Sequence, residues 1–584
     1  MKNITYQLVL ILIMTSSCQK GLLNTVPSDA LSSSSMWTTD NLTDQGVTGI
    51  YQALRLGITT DAASGRELYH YDRFASSQCR DADPLLTGSV TTSSNLFSSV
   101  WKELYEGINR ANDAIYHIPL VSPSDESKKN RLIAESKFLR AYFYLRLNQL
   151  YKGVPIYLEP VDASETTKPR SSEKEVWQQV LQDLTDAINT EDLPIKYASG
   201  DASFGRVTKG AAYALRGKAY LYLNEWTLAA QDFSKVEASG YTLFPSYDKL
   251  FLEENEQNDE IIFSLQNLPI AGFGSTTQFF CGTRSAFGSD WNTYLITSDL
   301  VDSYENEDGS PFSWEDIIPG YNALSPAQRE VYFLRNNLTT AEYNAASARG
   351  AKMSEYLTNG NEARILKAYA HRDPRLASNV ITPYSTFLGR EVDGADRTFT
   401  LRWPYRSEAV GVLDIRYNPG TYFWYLNRKF VYTGSTQLPD RTSGGIDFPI
   451  IRLADVLLMH AEALNEIGNT QDAIDLVNKV RKRAGVGLLN ASQATAIAGQ
   501  AELREKIQQE RRLEFPNEGI SYFDELRLKT WKNNTFYEGN GVKHIWGTTI
   551  IPYVWQGDYL YKWPIPLAEV QKNPNLVQND GWIN

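Results

Sequence analysis

The sequence predicts a mostly α-helical fold, in which helical hairpins pack beside an irregular, loop-rich part with short strands. A repeated helical pattern, two further helical segments and a long stretch of different texture predict it. The repeat is carried by "AAYALRGKAYLYLNEWTLAAQDFSKV" (211–236) and "LADVLLMHAEALNEIGNTQDAIDLVNKVRKRAG" (453–485). In the second copy Leu453, Val456, Leu457, His460, Ala461 and Leu464 fall on one helical face. Gly468 ends that helix, and Ala473, Val477, Val480 and Ala484 resume the spacing until Gly485. Two apolar helices joined by a polar turn, with small residues at their crossing, match the tetratricopeptide unit, which covers its apolar face only by stacking on neighbours. Helical segments at 100–118 and 126–151 precede both copies. The hairpin at 453–485 therefore has to fold back on the N-terminal helices.

Residues 240–450 read differently. They are rich in Gly, Pro, Ser, Asn and aromatic residues, with "EIIFSLQNL" (260–268) as a short strand and "NPGTYFWYLNRKFVYTG" (418–434) as aromatic loop or strand. Long irregular stretches in compact proteins usually carry function. Aromatic residues make up 12% of the chain, and rings on loops beside Asn, Asp, Arg and Gly are placed to stack on a sugar face.

Composition narrows the function. A net charge of −12 with no cluster of Lys and Arg argues against nucleic acid as a partner. Three cysteines, Cys18, Cys79 and Cys281, fit neither a disulfide framework nor a zinc spacing. The N-terminus reads as a signal peptide over residues 1–17, with Lys2, the apolar run Leu8–Met14 and the small residues Thr15-Ser16-Ser17 before Cys18. That run is too short to span a membrane. It resembles the lipobox of bacterial lipoproteins, with Thr15 where Leu is usual, and residues 19 to about 36 read as a tether leading from the anchor.

Six segments carry a family resemblance: "VWKELYEGINRAN" (100–112), "AESKFLRAYFYLRLNQLYKGVPI" (134–156), "GRVTKGAAYALRGKAYLYLNEW" (205–226), "IIRLADVLLMHAEALNE" (450–466), "ERRLEFPNEG" (510–519) and "WPIPLAEVQKNPNLVQNDGW" (563–582). In this order, behind a lipoprotein-like start, they resemble the SusD/RagB family of outer-membrane nutrient-binding lipoproteins. The resemblance implies tetratricopeptide-like hairpins on one side and an irregular, ligand-binding part on the other. It implies an N-terminal part over 18–240 and a C-terminal part over 241–584 that holds the loop-rich insert and the returning hairpin. It also implies a surface-exposed outer-membrane lipoprotein lipidated at Cys18, which binds oligosaccharide or polysaccharide and sits as a lid over a SusC-like TonB-dependent transporter.

Enzyme signatures find little support. "HRDPRLASN" (371–379) opens like a kinase catalytic loop but carries Ser378 where the metal-binding Asn belongs, and in the family that stretch is structural. "YENEDGSPFSWE" (304–315) places Asn306, Asp308, Gly309 and Glu315 at calcium-loop positions, but Tyr304 stands in the first ligand's place. "GFGST" (272–276) lacks a P-loop's lysine and spacing. Glu510 and Glu514, one turn apart beside Arg511 and Arg512, read as a salt-bridged helix face and not as a glycosidase pair, and His460 reads as a hydrogen-bonded core residue. No cofactor, metal or catalytic residue is expected.

The expected ligand residues are Arg80, Asp81 and Asp83 from the loop 70–88, with Trp291, Tyr294, Trp314, Trp403 and Tyr405 from the insert. The rings would supply an apolar platform, and the charged groups would fix the orientation of sugar hydroxyls. A surface-anchored glycoside hydrolase and a receptor for peptides remain alternative readings. The glycan itself, whether fructan, α-glucan or host glycan, is not legible.

Overall fold

The computed structural model describes residues 33–55, 70–80, 82–161, 165–286, 290–391, 393–406, 412–416, 422–434 and 441–583. The leader, Cys18 and Asp81 lie outside them.

Among the described residues nine long helices build the body, with shorter ones between them: α1 (Asp40–Ala53), α2 (Asn95–Val121), α3 (Glu126–Tyr151), α4 (Glu173–Asn189), α5 (Lys209–Tyr222), α6 (Trp226–Glu237), α7 (Leu453–Glu466), α8 (Thr470–Ala484) and α9 (Gln500–Glu514). Their starts follow from capping side chains. Thr39 accepts from the Leu42 amide, Asp125 from Lys128 and Thr208 from Ala211, while Ser172 and Glu175 form a reciprocal box at α4. α3 buries side chains on every face of its second half, from Phe138 to Tyr151, because α1, α2 and α4 all pack against it. α5 and α6 form the first predicted hairpin. Gly217 sits at their crossing, where a Cβ would stand 2.5 Å from the Phe233 ring. α7 and α8 form the second, closed by Gly485 at φ 78°.

The returning hairpin packs on the N-terminal helices, chiefly α7 on α6 and α5. Lys218 of α5 reaches Asp455 at 3.1 Å, and His460 Nδ1 lies 2.6 Å from Glu237 Oε1 of α6. His460 is thus a hydrogen-bonded residue of that contact. One apolar core runs from Trp37 through α1–α9 to Trp563 and Leu576. Among the described residues no helix is long and apolar enough to cross a membrane.

The insert is a closed excursion. The chain leaves the body along a strand at Ile261–Leu265, inside the predicted 260–268, and returns along Phe448–Arg452, the two pairing antiparallel with Ile261 opposite Arg452 and Leu265 opposite Phe448. The intervening residues enclose a second core of mainly aromatic side chains, including Phe280, Tyr304, Trp314, Phe333, Trp403, Phe423 and Trp424. Its strands are short, the longest pair being Thr386–Arg390 with Asp396–Thr400. Cys79 and Cys281 are both buried, and the Cys281 thiol lies against the Asn517 side chain.

A buried ionic seam joins the two parts. Glu510 and Glu514 share one face of α9, but that face is sealed from solvent and bonded to arginines from elsewhere in the chain, not to Arg511 and Arg512 on a solvated surface. Arg375 of the insert meets Asp373 at 2.6 Å, Glu510 at 2.6 Å and Glu514 at 2.9 Å. Arg452 meets Glu514 at 2.7 Å, Glu260 at 2.9 Å and Glu518 at 2.7 Å. Arg481 bridges Glu510 and Glu305, each at 2.9 Å, and Arg483 pairs with Glu260 and Glu514. Burial pushes the Glu514 carboxyl up, but Arg483, Arg452 and Arg375 outweigh it and hold the group at about 2.

The resemblance to other motifs dissolves in these contacts. Asp373 caps the helix Pro374–Asn379, and Arg372 donates to the carbonyls of Ala368 and Val301 at 3.0 and 2.9 Å. Asp308 accepts from the Ser310 amide at 2.9 Å, and Glu315 from the Asn322 amide at 3.1 Å, so both carboxylates stabilise turns.

Candidate ligand-binding site

The site begins with a two-residue strand, β1 (Gln78–Cys79), which pairs antiparallel with β2 (Leu295–Ile296): Gln78 faces Ile296 and Cys79 faces Leu295. Continuing that register sets half-buried Arg80 beside Tyr294 and brings the segment 70–80 to the insert. The segment 290–294 is pinned from its other side by the short helix Thr277–Cys281. The Trp291 amide donates to the Phe279 carbonyl at 2.9 Å, Asn292 to Gly282 at 2.8 Å and Tyr294 to Phe280 at 3.0 Å. Asn292 sits at φ 40°, a left-handed turn that Asn tolerates better than most residues.

This frame holds the Trp291 ring out: it is 42% exposed, while Tyr294 three residues on is 1% exposed. Phe279 backs the indole at a centroid distance of 4.5 Å. The Arg441 guanidinium lies 5.7 Å from the Trp291 ring and 4.8 Å from Phe279. Asp290 lies fully buried next to the platform and accepts from Gln278 Nε2 at 2.5 Å. Burial pushes its carboxyl up to about 8, against the opposing pull of the Gln278 hydrogen bond and Arg441. Gln278 Oε1 in turn accepts from the Tyr432 amide at 2.7 Å, so platform and aromatic loop are one connected unit.

A separate cleft of about 290 Å³ opens on the side of α1. Tyr51, Arg55, Phe204, Arg206, Gln266 and Phe273 line it. Phe273 is 51% exposed because Gly274 packs backbone to backbone on Ser443, where a Cβ would stand 2.3 Å from the Ser443 Cα. Arg55 Nη1 donates to Asn267 Oδ1 at 2.8 Å, and Arg206 pairs with Glu135 at 2.9 Å. Rings beside planar guanidinium and amide groups can stack on a pyranose and bond its hydroxyls.

The expected ligand residues divide. Trp291 stands exposed, while Arg80 is half-buried beside Tyr294. Asp83 is buried, caps the turn Pro84–Thr87 through the Leu85 amide and lies 3.7 Å from Arg73. The Tyr294 hydroxyl accepts from Arg73 Nη1 at 2.8 Å. Trp314 donates to Asp302 at 3.1 Å and stacks on Tyr321 at 4.9 Å, while Trp403 donates to Glu330 at 3.0 Å and Tyr405 is packed against the same second core. Tyr294, Trp314, Trp403 and Asp83 are buried and hold the frame of the loops, while Tyr405 is half-buried against it. Loop-like sequence flanks each of them, but the apolar demand of a second core claimed the rings. Sequence reasoning missed Phe273, Phe204, Arg441 and the α1 face. The glycines around Phe273 were the one signal, since they permit the close backbone approach that turns it outward.

Two family models match the chain: one described as the SusD family over residues 259–582, and one described as starch-binding associating with outer membrane over residues 25–221. The chain is 24% identical to SusD-like protein P38 of Formosa agariphila, over 99% of this chain and 98% of that one. It is 23% identical to the starch-binding protein SusD of Bacteroides thetaiotaomicron, over 77% and 72%. The crystal structure of a SusD-like carbohydrate binding protein from Bacteroides fragilis, 24% identical, superposes with a TM-score of 0.72 over 93% of this chain and 100% of that one, which shows a shared fold. With its C-terminal half and its N-terminal helices each matched in family order, the chain belongs to the SusD family.

Proposed function

We propose that this protein is a cell-surface glycan-binding lipoprotein, anchored in the outer membrane through a lipid on Cys18, which captures oligosaccharides and delivers them to a SusC-like TonB-dependent transporter. The carrying observation is the Trp291 platform: an exposed indole, backed by Phe279 and flanked by Arg441, on a scaffold whose relatives include starch- and carbohydrate-binding proteins. Binding without catalysis fits a site where the nearest buried carboxyl, Asp290, is bonded to Gln278 and lies sealed from solvent.

Titration of wild type and Trp291→Ala with a panel of oligosaccharides tests the reading. Loss of the ring should weaken binding by about 2 kcal/mol, or roughly thirtyfold in Kd, with the oligosaccharide recovered uncleaved. Unchanged affinity would remove Trp291 from the site, and cleavage would make the protein a hydrolase. For the anchor, Cys18→Ala should move the protein out of the membrane fraction, since acyl chains supply about 0.8 kcal/mol per buried CH₂. Membrane retention of that variant would sink the lipid-anchor reading.

A further inference from the structure

On the chain segments next to the Trp291 platform the insert gathers three arginines, Arg284, Arg390 and Arg416, and two of them have no carboxylate partner among the described residues. Three segments meet at Ser285, which is fully buried. The Arg284 amide donates to the Arg416 carbonyl at 2.9 Å, the Arg390 amide to the Ser285 carbonyl at 2.8 Å, and the Arg416 amide to Ser285 Oγ at 2.8 Å. Gly389 allows this meeting, for a Cβ there would stand 2.2 Å from the Ser285 carbonyl oxygen. Arg390 lies opposite Asp396 in its strand pair, which supplies a counter-charge. Arg416 spends its guanidinium on neutral acceptors, the Arg390 carbonyl at 2.9 Å and Ser285 Oγ at 3.5 Å. Arg284 does less: its Nε is buried without a hydrogen-bond partner. Neither Arg284 nor Arg416 pairs with a carboxylate among the described residues.

The place of this pair matters. Gly282, two residues before Arg284, accepts from the amide of Asn292, the neighbour of Trp291. The backbone that carries Trp291 is thus bonded two residues from Arg284, so indole and guanidinium pair stand on one braced stretch of chain. Half-buried guanidinium groups without counter-ions are costly in a folded protein, and they bond most strongly to planar or tetrahedral oxyanions. In a chain of net charge −12 such a local surplus is not a product of overall composition.

We propose that Arg284 and Arg416 form a subsite for the anionic substituent of an acidic oligosaccharide, a uronate carboxylate or a sulfate ester, whose neighbouring sugar stacks on Trp291. This rests on the glycan-binding reading above and narrows it to acidic glycans. The guanidinium groups supply charge-assisted hydrogen bonds to the oxyanion, and the indole supplies the apolar contact to the ring.

The test is calorimetric titration of the full chain with four probes: tetragalacturonate for the carboxylate, a sulfated neocarratetraose for the sulfate ester, and maltotetraose and laminaritetraose as neutral sugars. Wild type should prefer one acidic probe, and which one identifies the substituent. Arg284→Gln removes no side-chain hydrogen bond made among the described residues and should melt with wild type, yet lower affinity for that probe by about tenfold, while Arg284→Lys, which keeps the charge, should retain most of it. Neutral probes binding as well as acidic ones, or an acidic affinity that Arg284→Gln leaves unchanged, would overturn the acidic subsite while leaving the glycan-binding reading intact. Binding of none of the four probes by wild type would count against that reading itself, and the subsite would fall with it.

Discussion

The helical body and the insert solve the same problem, burial of apolar surface, with different backbones. In the body the backbone satisfies itself through helical hydrogen bonds, and packing reduces to fitting rings against small residues. A Cβ on Gly107 would meet the Phe143 ring at 2.4 Å, as one on Gly217 would meet Phe233. In the insert the backbone is irregular, and buried side chains must satisfy it. Asn361 Nδ2 donates to the Val331 and Leu334 carbonyls at 2.8 and 2.6 Å, and the Tyr384 hydroxyl to Phe333 at 2.7 Å. A loop braced in this way can hold Trp291 clear of the core without the support of a regular element. Rigidity at the ligand edge thus comes from buried polar side chains, while the repeat supplies the mass they are mounted on.

The ionic seam decides whether the two regions behave as one. A buried ion pair adds little by itself, because desolvation offsets its attraction, but removing one partner strands the other. Glu514→Ala would leave Arg375, Arg452 and Arg483 short of a shared carboxylate and should cost about 3 to 5 kcal/mol. The loss should appear together in far-ultraviolet dichroism, which reports the helices, and in near-ultraviolet dichroism, which reports the insert's aromatic core. Two separated transitions in the variant would mean that the strand pair Ile261–Leu265 with Phe448–Arg452 joins the regions without the seam's help. The folded Glu514 carboxyl lies at about 2, below its unfolded value. Its stabilisation is therefore complete above the unfolded value and is lost as pH falls toward 2.

How much of this was legible in the sequence follows the same division. The hairpins at 211–236 and 453–485 are readable because a helix writes its buried face at a fixed period, and the observed α5–α6 and α7–α8 begin and end within a few residues of them. The return of the second hairpin to the first was readable because a lone hairpin has nowhere to put its apolar face. The seam was not. Glu510 and Glu514 carry the local pattern of a solvated, salt-bridged helix, and the arrival of Arg452, Arg481 and Arg483, together with Arg375 from 135 residues away, makes that face interior. The exposure of Trp291 was legible from the Gly, Ser and Asp around it. Trp314 and Trp403 stand in similar company but are core, since no local spacing announces a second hydrophobic cluster.

Asp290 offers the finest test of the contrast, because it asks whether the insert's buried polar bracing carries a measurable pH signature. Burial raises its carboxyl to about 8, far above the value in an unfolded chain, with Gln278 and Arg441 only partly opposing. Between about pH 4 and 8 the folded protein holds a proton that the unfolded chain has released, so stability falls as pH rises through that window. One such proton contributes at most about 1.4 kcal/mol per pH unit. Asp72 and Asp447, both raised to about 7 by burial, and Glu256, raised to about 8, add slopes of the same sign, so the informative quantity is the difference between wild type and Asp290→Asn. Asparagine keeps an oxygen that accepts from Gln278 and cannot ionise. The variant should match wild type near pH 4, where the unfolded carboxyl is itself still largely protonated, and melt increasingly higher than wild type as pH rises toward 8. Parallel curves across the window would show that the loop beside Trp291 opens enough to hydrate the carboxylate, and the platform would then owe its exposure to mobility and not to bracing.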